Sequence, residues 1–262
     1  MIPFLHFWHL NIPTFGLMLW VAAVAAAIVM DRAFRREHIE ADAIGMVAVA
    51  VVAGIVGAKL WHVLDTPEEF REMGWRVLWD SAGFAWFGGL VFGILALLIQ
   101  GWRARIGALR ILDLASAAAA IGYGVGRIGC LLSGDGDYGI PSNLPWAMGF
   151  PHGLDPTPPG VRVHPTPIYE FVVAMFIGWW LWARGSKPRP SGWIVGEYLI
   201  WTGLARFLVE FIRRNQPVLF GLSNAQLASV GSVVAGAALL VWASRQKITE
   251  PQKSRTAGEK SA

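Results

Sequence analysis

The sequence predicts an all-α integral membrane protein, a polytopic bundle of about seven transmembrane helices with an irregular extracytoplasmic cap. Three observations carry that prediction. The first is composition: 55% of the residues are hydrophobic and 15% are charged, whereas a soluble domain carries roughly a quarter charged residues. The second is a recurrence of apolar runs, each long enough to span ~30 Å of hydrocarbon. The third is that the basic residues collect in alternate connections. Fourteen tryptophans and thirty glycines fit the same class, because Trp gathers at membrane interfaces and Gly lets helices approach closely.

Taken in order, the expected spans are 13–30, 42–64, 82–100, 111–132, 167–182, 193–212 and 225–243. No Lys or Arg precedes the first, so it lacks the basic region of a cleavable signal peptide and reads as a retained helix. His6 and His9 ahead of it read as interfacial residues. The connection 133–166 is the cap. Its Gly-Asp-Gly-Asp-Tyr-Gly, Leu-Pro-Trp, Phe-Pro-His-Gly and His-Pro-Thr-Pro stretches are turn and loop signals. Residues 1–244 form one transmembrane domain. The polar tail 245–262 is expected to be disordered and cytoplasmic.

Charge then orients the bundle. One side holds Arg32, Arg35, Arg36, Arg103, Arg105, Arg110, Arg184, Lys187, Arg189, Arg245, Lys247, Lys253, Arg255 and Lys260. The other holds only Arg71, Arg76, Arg162, Arg213 and Arg214. The positive-inside rule places the richer side in the cytoplasm, with the N-terminus outside and the C-terminus inside.

Composition also excludes several chemistries. The single cysteine, Cys130, leaves no intrachain disulfide and no cysteine-only zinc cluster. A net charge of +4 spread in this way calls for no nucleic-acid partner. Walker, zincin and Gly-x-Ser-x-Gly patterns are absent from the sequence. The loop Ser-Gly-Asp-Gly-Asp-Tyr-Gly lacks the downstream Glu of an EF-hand, so neither a metal nor any other cofactor is assigned.

Three cations fall inside spans: Lys59, Arg127 and Arg206. Such charges cost about 2.5–3.5 kcal/mol even on insertion scales, so a stable fold gives them a partner or water. At 1.5 Å per residue they lie roughly 20–26 Å from the cytoplasmic ends of their helices. His62, Asp135, Asp137, Glu170 and Glu210 accompany them at that level. One reading is a structural ion-pair network, with Arg206 and Glu210 paired at i,i+4. The other is a pocket for an anion, since the guanidinium fork suits phosphate. Gly122, Gly124, Gly126 and Gly129 would let a ligand or a neighbouring helix approach beside Arg127.

The motifs resemble those of the prolipoprotein diacylglyceryl transferase family. Gly126-Arg127-Ile128-Gly129-Cys130-Leu131-Leu132-Ser133-Gly134-Asp135, followed by Asp137-Tyr138-Gly139, is similar to its signature. Leu144-Pro145-Trp146, Phe150-Pro151 and His164-Pro165-Thr166-Pro167-Ile168-Tyr169-Glu170 follow in the family's order. Arg206-Phe207-Leu208-Val209-Glu210-Phe211-Ile212-Arg213 resembles its late helix. Gly88-Gly89-Leu90 and Phe15-Gly16-Leu17-Met18 also fit.

The resemblance implies transfer of a diacylglyceryl group from phosphatidylglycerol to the lipobox cysteine of a prolipoprotein in the bacterial inner membrane. The partners it implies are phosphatidylglycerol, prolipoprotein signal peptides and membrane lipid. Carried over by position, Arg127 and Arg206 would hold the phosphate, and Asp135 would stand where the family has Glu. Cys130, Asp137, His164, Tyr169, Glu170, Glu210, Phe87 and Phe15 would line the substrate site. Four positions depart from the family's pattern: Phe87 replaces a His, Phe15 a Tyr, Cys130 an Asn and Thr202 a Tyr. Because Phe87 cannot accept a proton, the candidate bases are Asp135, Asp137 and His164, in that order. An arginine-rich field that favours the substrate thiolate directly is the alternative. A non-catalytic lipid- or lipoprotein-binding relative and a membrane anion transporter are the competing functions.

Overall fold

The structure is a computed structural model that describes residues 1–8, 10–80 and 83–246. The reading of His9, and that of a disordered tail beyond residue 246, lie outside the described residues.

Among the described residues, six helices are long and apolar enough to cross a membrane. They are α1 (Thr14–Arg36), α2 (Ala43–Asp65), α4 (Trp86–Arg103), α5 (Ala108–Ser133), α6 (Thr166–Arg184) and α8 (Asn224–Ser244). Helix α7 (Trp193–Glu210) is 18 residues long. It carries Glu197, Arg206 and Glu210 and so falls short of that apolarity. The short α3 (Pro67–Met73) and a 3₁₀ turn (Gly74–Trp79) join α2 to α4. Pro67 at the first turn of α3 costs no hydrogen bond, since that N–H would have no helical acceptor.

Two helix starts show how local sequence sets the ends. Asp42 accepts from the Gly45 N–H at 2.8 Å and caps α2. Ser223 and Gln226 form a reciprocal capping box at α8. Helix α5 is the central element, packed on α1, α6 and α7. Its alanine-rich first half buries Ala117, Ala118 and Ala120, where small side chains allow close approach.

Helix α4 packs chiefly on α2. The crossing is close because both faces are glycine: a Cβ at Gly88 would fall within 3.0 Å of the Gly57 carbonyl and of Trp61. Replacing Gly88 with alanine therefore overpacks the crossing. It is expected to destabilise the pair by ~1–3 kcal/mol, seen as a lower thermal unfolding midpoint in detergent; an unchanged midpoint would show that the crossing is not tight.

The N-terminal segment forms a hairpin that the sequence did not suggest. Strands β1 (Phe4–Phe7) and β2 (Leu10–Pro13) pair antiparallel with Phe4 opposite Pro13. The Ile2 N–H donates to the Leu132 carbonyl at 2.9 Å, which ties this hairpin to the end of α5.

Between α5 and α6 the chain, 134–165, contains no helix or named strand. It is nevertheless well paired. The N–H groups of Gly139 and His164 donate to the carbonyls of His164 and Ile140 at 2.8 and 3.1 Å. Ile140 N–H donates to the Ile212 carbonyl at 2.8 Å, so the segment is stitched to the chain just beyond α7. Tyr138 stacks on Phe150 with ring centres 4.9 Å apart, and Val163 completes this small buried cluster.

Candidate functional site

The site lies where α5, α6 and α7 end or begin beneath the 134–165 segment. Its centre is the Glu170 carboxylate, in the second turn of α6 and buried. Oε1 accepts from the Tyr123 hydroxyl at 2.7 Å and from Arg206 Nη1 at 3.0 Å. Oε2 lies 3.4 Å from Arg127 Nε and 3.3 Å from Arg213 Nη1. Three guanidinium groups thus meet on one carboxylate.

Two further carboxylates complete the cluster. Asp137 bridges Arg127 and Arg213, accepting from Arg213 Nη2 at 2.5 Å and from Arg127 through its other oxygen. Glu210 Oε2 lies 2.9 Å from Arg206 Nη2 and 3.7 Å from Arg213 Nε. Its Oε1 accepts from Asn215 Nδ2 at 2.6 Å and from the Ser223 hydroxyl at 2.7 Å. Glu210 therefore fixes the start of α8 as well as the arginines. The i,i+4 pairing of Arg206 with Glu210 that the sequence suggested is present.

Helix geometry explains the α5 contribution. Tyr123 and Arg127 are four residues apart and share a face, so the guanidinium lies 4.9 Å over the Tyr123 ring. Arg127 Nη1 also lies 3.6 Å from Cys130 Sγ. Gly134 ends α5 in the left-handed region at φ 59°. Gly136 follows at φ 86°, and the two turn the acidic loop back over the helix end. There Asp135 Oδ1 accepts from the Asp137 N–H at 3.3 Å.

The two aspartates differ electrostatically. Burial pushes the Asp135 carboxyl above the ordinary carboxylate range, and the negative charge of Asp137 adds to the shift. Burial opposes ionisation of Asp137 too, but Arg127 and Arg213 outweigh it and hold that carboxyl low. Cys130, Asp135 and Asp137 bring ligand atoms within 4.8 Å of one another. Asp137 is already committed to two guanidinium groups, which leaves Asp135 as the one carboxylate of the trio that no arginine holds.

The structure corrects the expected convergence of cations. Arg127 and Arg206 meet, but Lys59 does not join them. Its Nζ donates to the Gly83 carbonyl at 3.2 Å and lies 4.7 Å from the Phe84 ring, between α2 and α4. His62 stays on α2 as well, 3.0 Å from Glu69. Nor do bare cations await an anion, because three arginines are matched by three carboxylates. Arg206 is the most exposed of the three side chains at 26%, against 14% for Arg127 and 9% for Arg213.

The remaining expected residues divide. Phe15 packs against Gly129, one residue from Cys130. His164 Nδ1 lies 3.3 Å from the Tyr169 hydroxyl, which also accepts from Trp146 Nε1 at 2.7 Å. That chain of three is separate from the arginine cluster. Phe87 is 49% exposed on α4 and packs edge-to-face on Trp86; no ion pair or ring contact among the described residues joins it to Arg127. Of the glycines, Gly122 packs on α1, Gly124 on α6 and Gly129 on α1. At Gly126 a side chain would meet nothing within 4 Å of its Cβ, so the helix surface beside Arg127 is open there.

Sequence reading missed two members of the cluster. In the sequence Arg213 is a charge of the basic-poor side and the last residue of the late-helix motif, but it is given no place in the site. Tyr123, one turn before Arg127, was legible from helical spacing.

Comparison with known proteins finds one family and many relatives of this chain. A family model described as prolipoprotein diacylglyceryl transferase matches residues 3–242. A Clostridium tetani protein named phosphatidylglycerol--prolipoprotein diacylglyceryl transferase is 30% identical over 87% of this chain and 91% of its own. Proteins of the same name from Chromohalobacter salexigens and Pseudomonas aeruginosa are each 32% identical, covering 90% and 93% of both chains respectively.

Proposed function

The chain belongs to the prolipoprotein diacylglyceryl transferase family, and from that premise we propose that it moves a diacylglyceryl group from phosphatidylglycerol to the lipobox cysteine thiol of prolipoproteins. The observation that supports this most is the triple-arginine cluster on Glu170, with the open face of Gly126 beside it.

In this reading the substrate sulfur attacks the glyceryl carbon that bears the phosphate, forming a thioether as the carbon–oxygen bond breaks. Glycerol phosphate leaves with the bonding electrons. Charge builds on the leaving phosphate, and Arg127 and Arg206 stabilise it there. Their inner N–H groups are held by Glu170, so the phosphate binds on their outward side. Arg206, the most exposed, meets the headgroup first. The carboxylates keep all three guanidinium groups oriented before substrate arrives, which removes reorganisation from the reaction. Cys130, Asp137, Glu210 and Phe15 line or brace this region; His164, Tyr169 and Phe87 stand farther out and would meet the incoming chains.

The thiol proton goes to Asp135, whose raised carboxyl is the better base of the aspartate pair. Transfer should therefore rise with pH as Asp135 ionises, above the usual carboxylate range, and then level off. Asp135→Asn is expected to remove that limb and lower kcat by ~10²–10⁴. If the limb persists in the variant, proton removal belongs elsewhere, with His164 ahead of Asp137 because two arginines hold the Asp137 carboxyl low.

The proposed setting is the bacterial inner membrane, with α7 as a seventh span and the 134–165 segment as the extracytoplasmic cap. The N-terminus is outside and the C-terminus cytoplasmic. The charge asymmetry of the connections supports that orientation. Spanning by α7 is favoured by the pairing of its charged residues, Arg206 and Glu210 with each other and Glu197 with Arg184.

The test is transfer of labelled diacylglyceryl from phosphatidylglycerol to a synthetic lipobox peptide by the purified protein. Turnover establishes the reading. Retained phosphatidylglycerol without turnover would instead make the chain a non-catalytic relative.

A further inference from the structure

At the end of the bundle opposite Arg127, α1 and α6 end and α5 and α7 begin around a shallow, solvent-open cavity. Its wall carries four cations, Arg36, Arg110, Lys187 and Arg189, and two carboxylates, Glu37 and Asp113. Neither carboxylate is free. Arg110 Nη2 holds Glu37 at 2.6 Å. Asp113 accepts from the Gly192 N–H at 2.7 Å and the Val195 N–H at 2.8 Å, which caps the first turn of α7. Arg184, next to this wall, is likewise taken up by Glu197.

Among the described residues, Arg36, Lys187 and Arg189 consequently have no carboxylate within ion-pair distance. Arg36 is the informative one. Its Nη1 donates to the Trp182 carbonyl at 3.1 Å, and its guanidinium lies 4.4 Å over the Trp182 ring. Its Nε is buried with no hydrogen-bond partner. Gly185 makes room for the group, since a Cβ there would stand 2.8 Å from Arg36 Nη2. This is the reverse of the Arg127 cluster, where every guanidinium meets at least two carboxylates.

An excess of exposed basic residues on one side of a membrane has a general cause in topology. That cause does not account for a part-buried guanidinium held on Trp182 beside two further cations around one open cavity, with no carboxylate for any of the three. An anion with several oxygens would offer Arg36, Lys187 and Arg189 the counter-charge they lack, and basic cavities between helix ends suit phospholipid headgroups. We propose that this cavity binds a phosphate-bearing anion, either the headgroup of an anionic phospholipid from the leaflet at that end or free phosphate. The inference is independent of the transferase reading, since none of these residues belongs to the Arg127 site.

The experiment compares the purified full chain with an Arg36→Gln/Lys187→Gln variant, using two probes. Native mass spectrometry counts phosphatidylglycerol bound against phosphatidylcholine. Thermal unfolding is followed in inorganic phosphate against chloride at equal ionic strength. Peptide lipidation by both proteins checks that the variant is folded. If the headgroup is the ligand, wild type retains one more phosphatidylglycerol than the variant, whose affinity for it falls on the order of tenfold for each donor lost, and phosphate does not stabilise. Phosphate stabilisation of wild type alone, with equal lipid counts, identifies free phosphate. Equal lipid counts and equal unfolding in both salts overturn the proposal.

Discussion

Arg127→Ala should abolish diacylglyceryl transfer while the protein still reaches the membrane. The side chain is the only one in the cluster that touches Tyr123, Cys130, Asp137 and Glu170 together. Its removal leaves two guanidinium groups facing three carboxylates, so a site poised near neutrality becomes anionic and repels a phosphate. Loss of one donor aimed at developing negative charge costs about 10²–10³ in kcat, and the reversed field should deepen that loss. Arg127→Lys is the informative partner. It restores the charge but not the planar fork, so it should recover binding of phosphatidylglycerol more than turnover. Normal transfer in a folded Arg127→Ala protein would remove the phosphate role assigned to this residue.

Glu170→Gln tests the opposite sign. The substitution keeps the shape of the side chain but leaves three arginines with only Asp137 and Glu210. Breaking a buried charge network by removing one partner costs about 3–5 kcal/mol. For a chain of this size that lowers the unfolding midpoint by roughly 10 °C. The freed cations should also hold an anionic headgroup more tightly while orienting it less well. Both kcat and KM should therefore fall, a split that simple unfolding would not produce. A variant with wild-type stability and kinetics would show that Glu170 is not the hub of the cluster.

These expectations rest on features of unequal visibility in the sequence. Apolar length and the basic residues of the connections report directly on helices, because each helix satisfies its own backbone hydrogen bonds and needs only a local stretch of suitable side chains. The helices accordingly lie close to the expected spans, with α1 running six residues past its predicted end, to Arg36. The i,i+4 contacts of Arg206 with Glu210 and of Tyr123 with Arg127 are local in the same sense. The β1–β2 hairpin was not legible, since its eight strand residues carry no turn signal of the Asn-Gly kind.

By itself, then, the sequence determined an apolar helical chain, the motif positions of Arg127 and Arg206, and the family that those motifs resemble. Only the tertiary structure decided which charges meet. Lys59 and Arg127 looked equivalent by depth along their helices, but depth leaves open the direction in which a side chain points. Packing of α2 on α4 turns Lys59 toward Gly83, while packing of α5 on α6 turns Arg127 toward Glu170. Arg213 enters the site because the Gly139–Ile140 backbone pairs with the chain beyond α7, a contact across more than seventy residues of sequence. Ion pairing depends on a few ångströms of separation between distant segments, and no local pattern encodes that distance.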